Sequence, residues 1–172
     1  MLIREVTDVI ERFAPLAWQE SYDNAGLIVG RPDDEVHRAL LAVDVTDEVM
    51  AEAEREGCDM VITHHPIVFH ALKRFNSADQ VQRCVERAIR GGIALYACHT
   101  NLDSAPGGMS WRLAEMLGVG DLRVLQPAQA DEKVGFGVVG ELPEPMATVE
   151  FMRRMQLSLI HISEPTRRRG IS

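Results

Sequence analysis

Three short apolar runs, "RALLAVDVT", "CDMVITHHP" and "IALYACHTNLD", each stop at residues able to carry chemistry. Two segments of helical period, "DEVMAEAEREG" and "SADQVQRCVERAIRGG", separate them. Strands alternating with helices read as βαβ units, in which parallel strands are covered on both faces by the crossover helices. The fold class expected is therefore α/β: a mostly parallel sheet with helices on its faces. In such sheets ligands gather beyond the carboxyl ends of the strands. Asp44, His64, His65 and His99 all fall at those ends, and that coincidence is the main sign of a site.

The local signals agree with this frame. "IREVTDVIERFAPLAW" places Ile3, Val6, Ile10 and Phe13 on one helical face. "NAGLIVG" is a short strand or tight turn bracketed by glycines. Thr46 is placed to cap a helix stopped by Gly57. Ser77 is the expected cap of the next helix, which Gly91 and Gly92 close. "GGMSWRLAEMLGV" reads as a further helix, not as a phosphate loop, since it lacks the G-x-x-x-x-G-K-[ST] pattern. After Leu125 the texture changes: "QPAQADEK" reads as a polar linker, "VGFGVVGELPEP" as a glycine-rich strand, and a helix starts at "ATVEFMRRM".

Hydrophobic residues make up 46% of the 172 residues, enough for a packed core. The formal charge of −8 argues against a nucleic-acid or anionic-membrane binder, whose footprint is a basic patch. No apolar stretch approaches the ~20 residues that span a bilayer, and the start does not read as a signal peptide. A cytoplasmic location is expected. Cys58, Cys84 and Cys98 have no CxxC spacing and sit in apolar contexts, as buried free thiols do.

Of the histidines, His37 lies in the polar stretch "DDEVHRAL" and reads as a solvated surface residue, and His70 as a structural one. The adjacent pair differs. Two imidazoles in sequence on an extended strand end point in opposite directions, which disfavours joint chelation of one ion. Each could instead serve its own ion in a two-metal site, where the ions stand ~3.5–4 Å apart. Pro66 stiffens the turn that follows. "CHTNLD" adds His99 and Asp103, four apart and expected in a loop; Asp103 could bridge two cations. A shell of imidazole and carboxylate suits Zn, Mn, Fe or Ni better than Ca or Mg. A structural histidine network remains the alternative on spacing alone. A Ser-His-Asp triad is disfavoured because no G-x-S-x-G elbow is present. "SYDNAGLIVG" sets Asp23 and Asn24 beside a glycine turn, either as simple turn residues or with Asp23 near the site.

The segments "YDNAGLIVG", "LLAVDVTDEVMAEAEREGCDMVITHHPIVF", "LYACHTNLDSAPGGMSWRLAEMLG" and "VGFGVVGELPEP" occur in the order and spacing of one family. From about Ile3 to Gln156 the chain resembles the dinuclear-metal proteins called GTP cyclohydrolase 1 type 2 homologues, or NGG-one-interacting-factor-three-like proteins. The resemblance implies two divalent metal ions per subunit and a homo-oligomeric ring, commonly a hexamer. It implies His64 and His65 as ligands to the two metals, Asp103 as the bridging carboxylate, and His99 at or near the metals. It also implies a metal-dependent hydrolase acting on a nucleotide or similar small substrate. A non-catalytic metal-binding scaffold or regulatory partner-binding protein is the alternative, and a metal-dependent phosphoesterase a third. Asp44 or Asp23 could orient a water.

The tail "LSLIHISEPTRRRGIS" follows neither a helical nor a strand period and ends in an arginine cluster. Leu157 to Arg167 resembles the in-frame translation of a transposase-type sequencing adapter, and residues 157–172 are expected to be non-native. The expected organisation is then 1–126 as a metal-binding α/β domain and 127–156 as the start of a second segment, a C-terminally truncated fragment. The family's remaining ligands, in an H-x-x-x-E motif near its C-terminus, have no counterpart here; His161 and Glu164 are spaced by three and lie in the suspected adapter. With half of that ligand set, the chain is expected to be metal-deficient or poorly soluble, and inactive as it stands. Soluble expression with two tightly held metals per chain, read by elemental analysis, would contradict this.

Overall fold

The computed structural model describes residues 1–129 and 131–163, with side chains described through Leu157. The expected α/β architecture is present. The chain divides into two compact units, Met1–Gly108 and a second that begins at Met109.

The first unit holds a four-stranded sheet in the order β1-β4-β3-β2. β2 (Ala39–Ala42), β3 (Met60–Thr63) and β4 (Ala94–Ala97) are parallel, with Leu40 opposite Val61 and Val61 opposite Leu95. β1 (Gly26–Val29) runs antiparallel to β4, with Gly26 opposite Ala97, so the start of β1 lies beside the end of β4.

Alternation along the strands feeds two cores. Val61 and Leu95 join Met50, Ala53, Cys84 and Ala88 from α2 (Asp47–Arg55) and α3 (Gln80–Gly91). Met60, Ala94 and Tyr96 face the other way and pack with Ile3 of α1 (Ile3–Phe13). This period of two is what a strand buried on both faces requires. The Tyr96 hydroxyl, otherwise buried, donates to Glu11 Oε1 at 3.1 Å and ties α1 to the sheet. Phe13, expected on the buried face of α1, is instead half exposed near its end. All three cysteines are buried and free. Burial raises the pKa of Cys84 to about 11, so it packs as a small apolar side chain.

Helix ends follow local chemistry. Thr46 accepts from the Val49 amide at the start of α2. Asp79, not Ser77, caps α3, accepting from the Gln82 amide at 2.8 Å. Ser77 has φ of 57° and bonds Glu86 through its hydroxyl, so its backbone is turned away from the helix start. Asp47 pairs with Arg83, and Glu54 with Arg87, both at 2.7 Å, locking α2 to α3 across their solvent edge.

In the second unit, α5 (Met109–Met116) packs on a hairpin of β5 (Gly120–Pro127) and β6 (Gly135–Glu141). Gln126 and Pro127 are strand residues, not linker, because they pair with Phe136 and Gly135. The division after Gly108 therefore comes earlier than the change of sequence texture near residue 126. α6 (Thr148–Ser163) continues through the first residues of the expected non-native tail. Residues 164–172 of that tail lie outside the described residues.

Gly30 follows β1 with φ of 116°, and a Cβ there would stand 2.8 Å from the Ala94 Cβ. Backbone strain and overlap add. Gly30→Ala is expected to destabilise the protein by about 2–4 kcal/mol, measured as a lower urea midpoint with unchanged slope.

Candidate metal centre

β3 and β4 run side by side in register, with Thr63 opposite Ala97. Their next residues, His64-His65 and Cys98-His99, therefore leave the sheet at the same edge. The ladder extends one step past the strands, since the Cys98 amide donates to the Thr63 carbonyl at 2.8 Å.

The chain bends at His64 and His65 as soon as β3 ends. The Thr63 hydroxyl donates to the His65 carbonyl at 2.9 Å, and the His65 amide donates to the Val43 carbonyl at 3.0 Å. The two imidazoles do not point apart, as an extended strand would require. Their ring centres are 4.8 Å apart, and His99 stands 5.3 Å from His64 and 5.6 Å from His65. One ring nitrogen of each lies within 4.8 Å of the others. The alternation rule fails here because the bend replaces extended backbone.

Each ring is oriented from behind. His64 Nδ1 meets the Cys98 carbonyl at 2.8 Å. His65 Nδ1 meets Asp44 Oδ1 at 2.7 Å, and His99 Nδ1 meets Asp23 Oδ1 at 2.8 Å. An acceptor at Nδ1 holds the proton there and leaves the Nε2 lone pair free, the state in which imidazole ligates a metal. Two nitrogens on one zinc stand at most about 4.2 Å apart, twice the ~2.1 Å bond. A cluster within 4.8 Å thus closes on one ion with sub-ångström side-chain movement, or serves two ions ~3.5–4 Å apart. The donor set fits a borderline divalent metal.

Asp103 belongs to α4 (Thr100–Ser104), a short helical turn and not the expected loop. The Asp103 amide donates to the His99 carbonyl at 3.1 Å, and the turn aims the carboxylate back at the cluster. Its Oδ1 lies 3.7 Å from His64 Nε2. The four residues singled out from sequence thus come to one edge of one sheet.

Asp23 and Asp44, which the sequence offers as residues to orient a water, sit behind the histidines. The Asp23 side chain is fully buried. Its carboxylate accepts from the Asn24 amide at 2.7 Å, the Thr100 amide at 3.0 Å, the Thr100 hydroxyl and His99. Burial alone would raise its pKa, but the hydrogen bonds from Thr100, His99 and Asn24 outweigh that and hold it below the usual carboxylate range. The antiparallel β1 makes this contact, by bringing residue 23 to the end of β4. Asn101, fully buried, accepts the His99 amide at 2.9 Å and donates to the Ala14 carbonyl at 2.8 Å. Sequence periodicity carries no trace of these long-range pairings; only the grouping of polar residues at strand ends could have hinted at them.

The other histidines stand apart. His37 is exposed, as expected, beside Glu35 and Asp59. His70 is exposed against Phe69, because the chain leaves the core after Val68.

The family described as Duf34/NIF3 (NGG1p interacting factor 3) matches residues 1–168. A Clostridium perfringens protein called GTP cyclohydrolase 1 type 2 homolog is 33% identical over 159 residues, covering 92% of this chain and 61% of that protein. Its Streptomyces coelicolor namesake is 36% identical over 154 residues, covering 88% of this chain and 54% of that one. The crystal structure of a Staphylococcus aureus hypothetical protein superposes with a TM-score of 0.85 at 26% identity, over 93% of this chain and 65% of that one. The chain thus spans less than two thirds of the length of each.

Asp23→Asn removes the charge that fixes the His99 tautomer and is expected to weaken zinc affinity about 10–100-fold. Asp44, 57% exposed, shares its partner with water, so Asp44→Asn should have the smaller effect. Competitive titration against a chromophoric chelator, with a thermal melt of each variant, measures both.

Proposed function

The chain belongs to the Duf34/NIF3 (NGG1p interacting factor 3) family, and from that premise we propose that it contributes half of a two-metal centre in a metal-dependent hydrolase acting on a nucleotide or similar small substrate. The observation that carries the proposal is the convergence of His64, His65 and His99, each with Nδ1 held by an acceptor. In this reading the three histidines offer Nε2, and Asp103 offers a carboxylate able to bridge. Bound divalent cations of the Zn, Mn, Fe or Ni class would supply Lewis acidity and a water nucleophile near neutral pH. The protein's own part is positioning. Asp23 and Asp44 fix two rings, the Cys98 carbonyl fixes the third, and the backbone beneath them is tied into the parallel sheet. A homo-oligomeric ring belongs to the same proposal.

The family description, an interacting factor for NGG1p, supports a second reading: a metal-holding scaffold that binds a protein partner. Turnover separates the two. Protein extended to the full length of its relatives and loaded with zinc or manganese is expected to hydrolyse GTP or a phosphoester in a metal-dependent way, whereas residues 1–172 alone, with half of the ligand set, are expected to be inactive. His65→Ala should lower the rate by at least about 100-fold with an unchanged far-UV spectrum. Full metal loading without turnover would favour the scaffold.

A further inference from the structure

Two aromatic rings stand in water beside the histidine cluster. Tyr22 is 63% exposed and Phe69 40% exposed, with ring centres 6.4 Å apart. Phe69 lies 6.1 Å from the His99 ring, nearly perpendicular to it. Each aromatic sits on a segment that also builds the site: Tyr22 precedes Asp23, which orients His99, and Phe69 follows the His64-His65-Pro66 turn.

The segments are clamped together. The Asn24 side-chain amide donates to the Val68 carbonyl at 2.7 Å, while the Asn24 amide nitrogen donates to Asp23 at 2.7 Å. One turn thus fixes the His99 ring and ties together the two backbone segments that carry Tyr22 and Phe69. Two exposed rings side by side on tied segments present a surface for a ligand, since folding alone gains little from apolar surface left in water. Their 6.4 Å separation excludes a ring between them, which would need about 7 Å, two contact distances of ~3.5 Å. A flat ligand must lie on their outward faces.

We propose that Tyr22 and Phe69 are the specificity-determining rim of the site and stack on a flat heteroaromatic ring of nucleobase type, whose reactive edge faces His64, His65 and His99. This rests on the metal-centre reading above and names the part of the substrate that the rim takes. A flat ring gains offset or edge-to-face stacking on these side chains, which an aliphatic group of equal area does not.

The test uses the chain in saturating zinc with guanosine monophosphate and, as the ring-free control, ribose 5-phosphate. Saturation-transfer NMR should show contact at the base proton, with ribose 5-phosphate at least about tenfold weaker. Phe69→Leu and Tyr22→Leu should each weaken guanosine monophosphate by about tenfold while the zinc titration stays as in the parent. Equal affinity for the two phosphates, no contact at the base, or unchanged binding in both variants overturns the rim. Failure of the parent chain to bind zinc even at millimolar concentration, where a half-complete ligand set should still be filled, overturns the metal-centre reading instead, and the two failures are read by separate titrations.

Discussion

The pairing of β3 with β4 is the constraint on which the site depends. Thr63 stands opposite Ala97, so the residues that follow each strand emerge together. A slip of one residue would reverse every side chain of a strand. Val61 and Leu95 would leave the core shared with α2 and α3, and Met60 and Ala94 the core beneath α1. The site's geometry is therefore held by the burial of apolar side chains on both faces of the sheet. Register that a core enforces this strongly is what allows a bend, three imidazoles and several carboxylates to collect at one edge.

The buried Asp23 shows how polar groups are kept there. An ionised carboxylate out of water is unfavourable unless its oxygens are satisfied. Here Asn24, Thr100 and His99 provide four hydrogen bonds. Thr100 also accepts the Glu20 amide at 2.9 Å, so the loop before β1 and the turn after β4 form one network. The arrangement couples ligand orientation to folding: disturbing the network loosens His99 and the chain entry to β1 together. The Asn24 clamp extends the network to the segment after Pro66, and with it to the aromatic rim.

Much of this was legible in the residues. Val61 and Leu95 sit in apolar runs too short for helices, and His64, His65 and His99 end those runs, so the strands and the candidate ligands follow from the residues alone. Thr46 was placed as a cap because a hydroxyl before an acidic helical turn has one evident use. Other local expectations failed for identifiable reasons. Ser77 lost its capping role to Asp79 because its backbone turns the other way. Gln126 and Pro127 resemble a linker, yet they are strand residues because β6 supplies a partner. His64 and His65 converge because hydrogen bonds from Thr63 and to Val43 bend the chain where alternation assumes extension.

The sequence by itself determined the α/β class, the strand ends as the place of chemistry, and the residue types able to hold a metal. These follow from apolar periodicity and side-chain chemistry, both local properties of the chain. Only the tertiary structure decided that the three imidazoles share one volume, that Asp23 and Asp44 hydrogen-bond His99 and His65, and that Asp103 rides on a helical turn facing His64. Those facts depend on an antiparallel β1 carrying residue 23 to a strand end 76 positions away in the chain. A contact between such distant residues exists only once the sheet has brought them together.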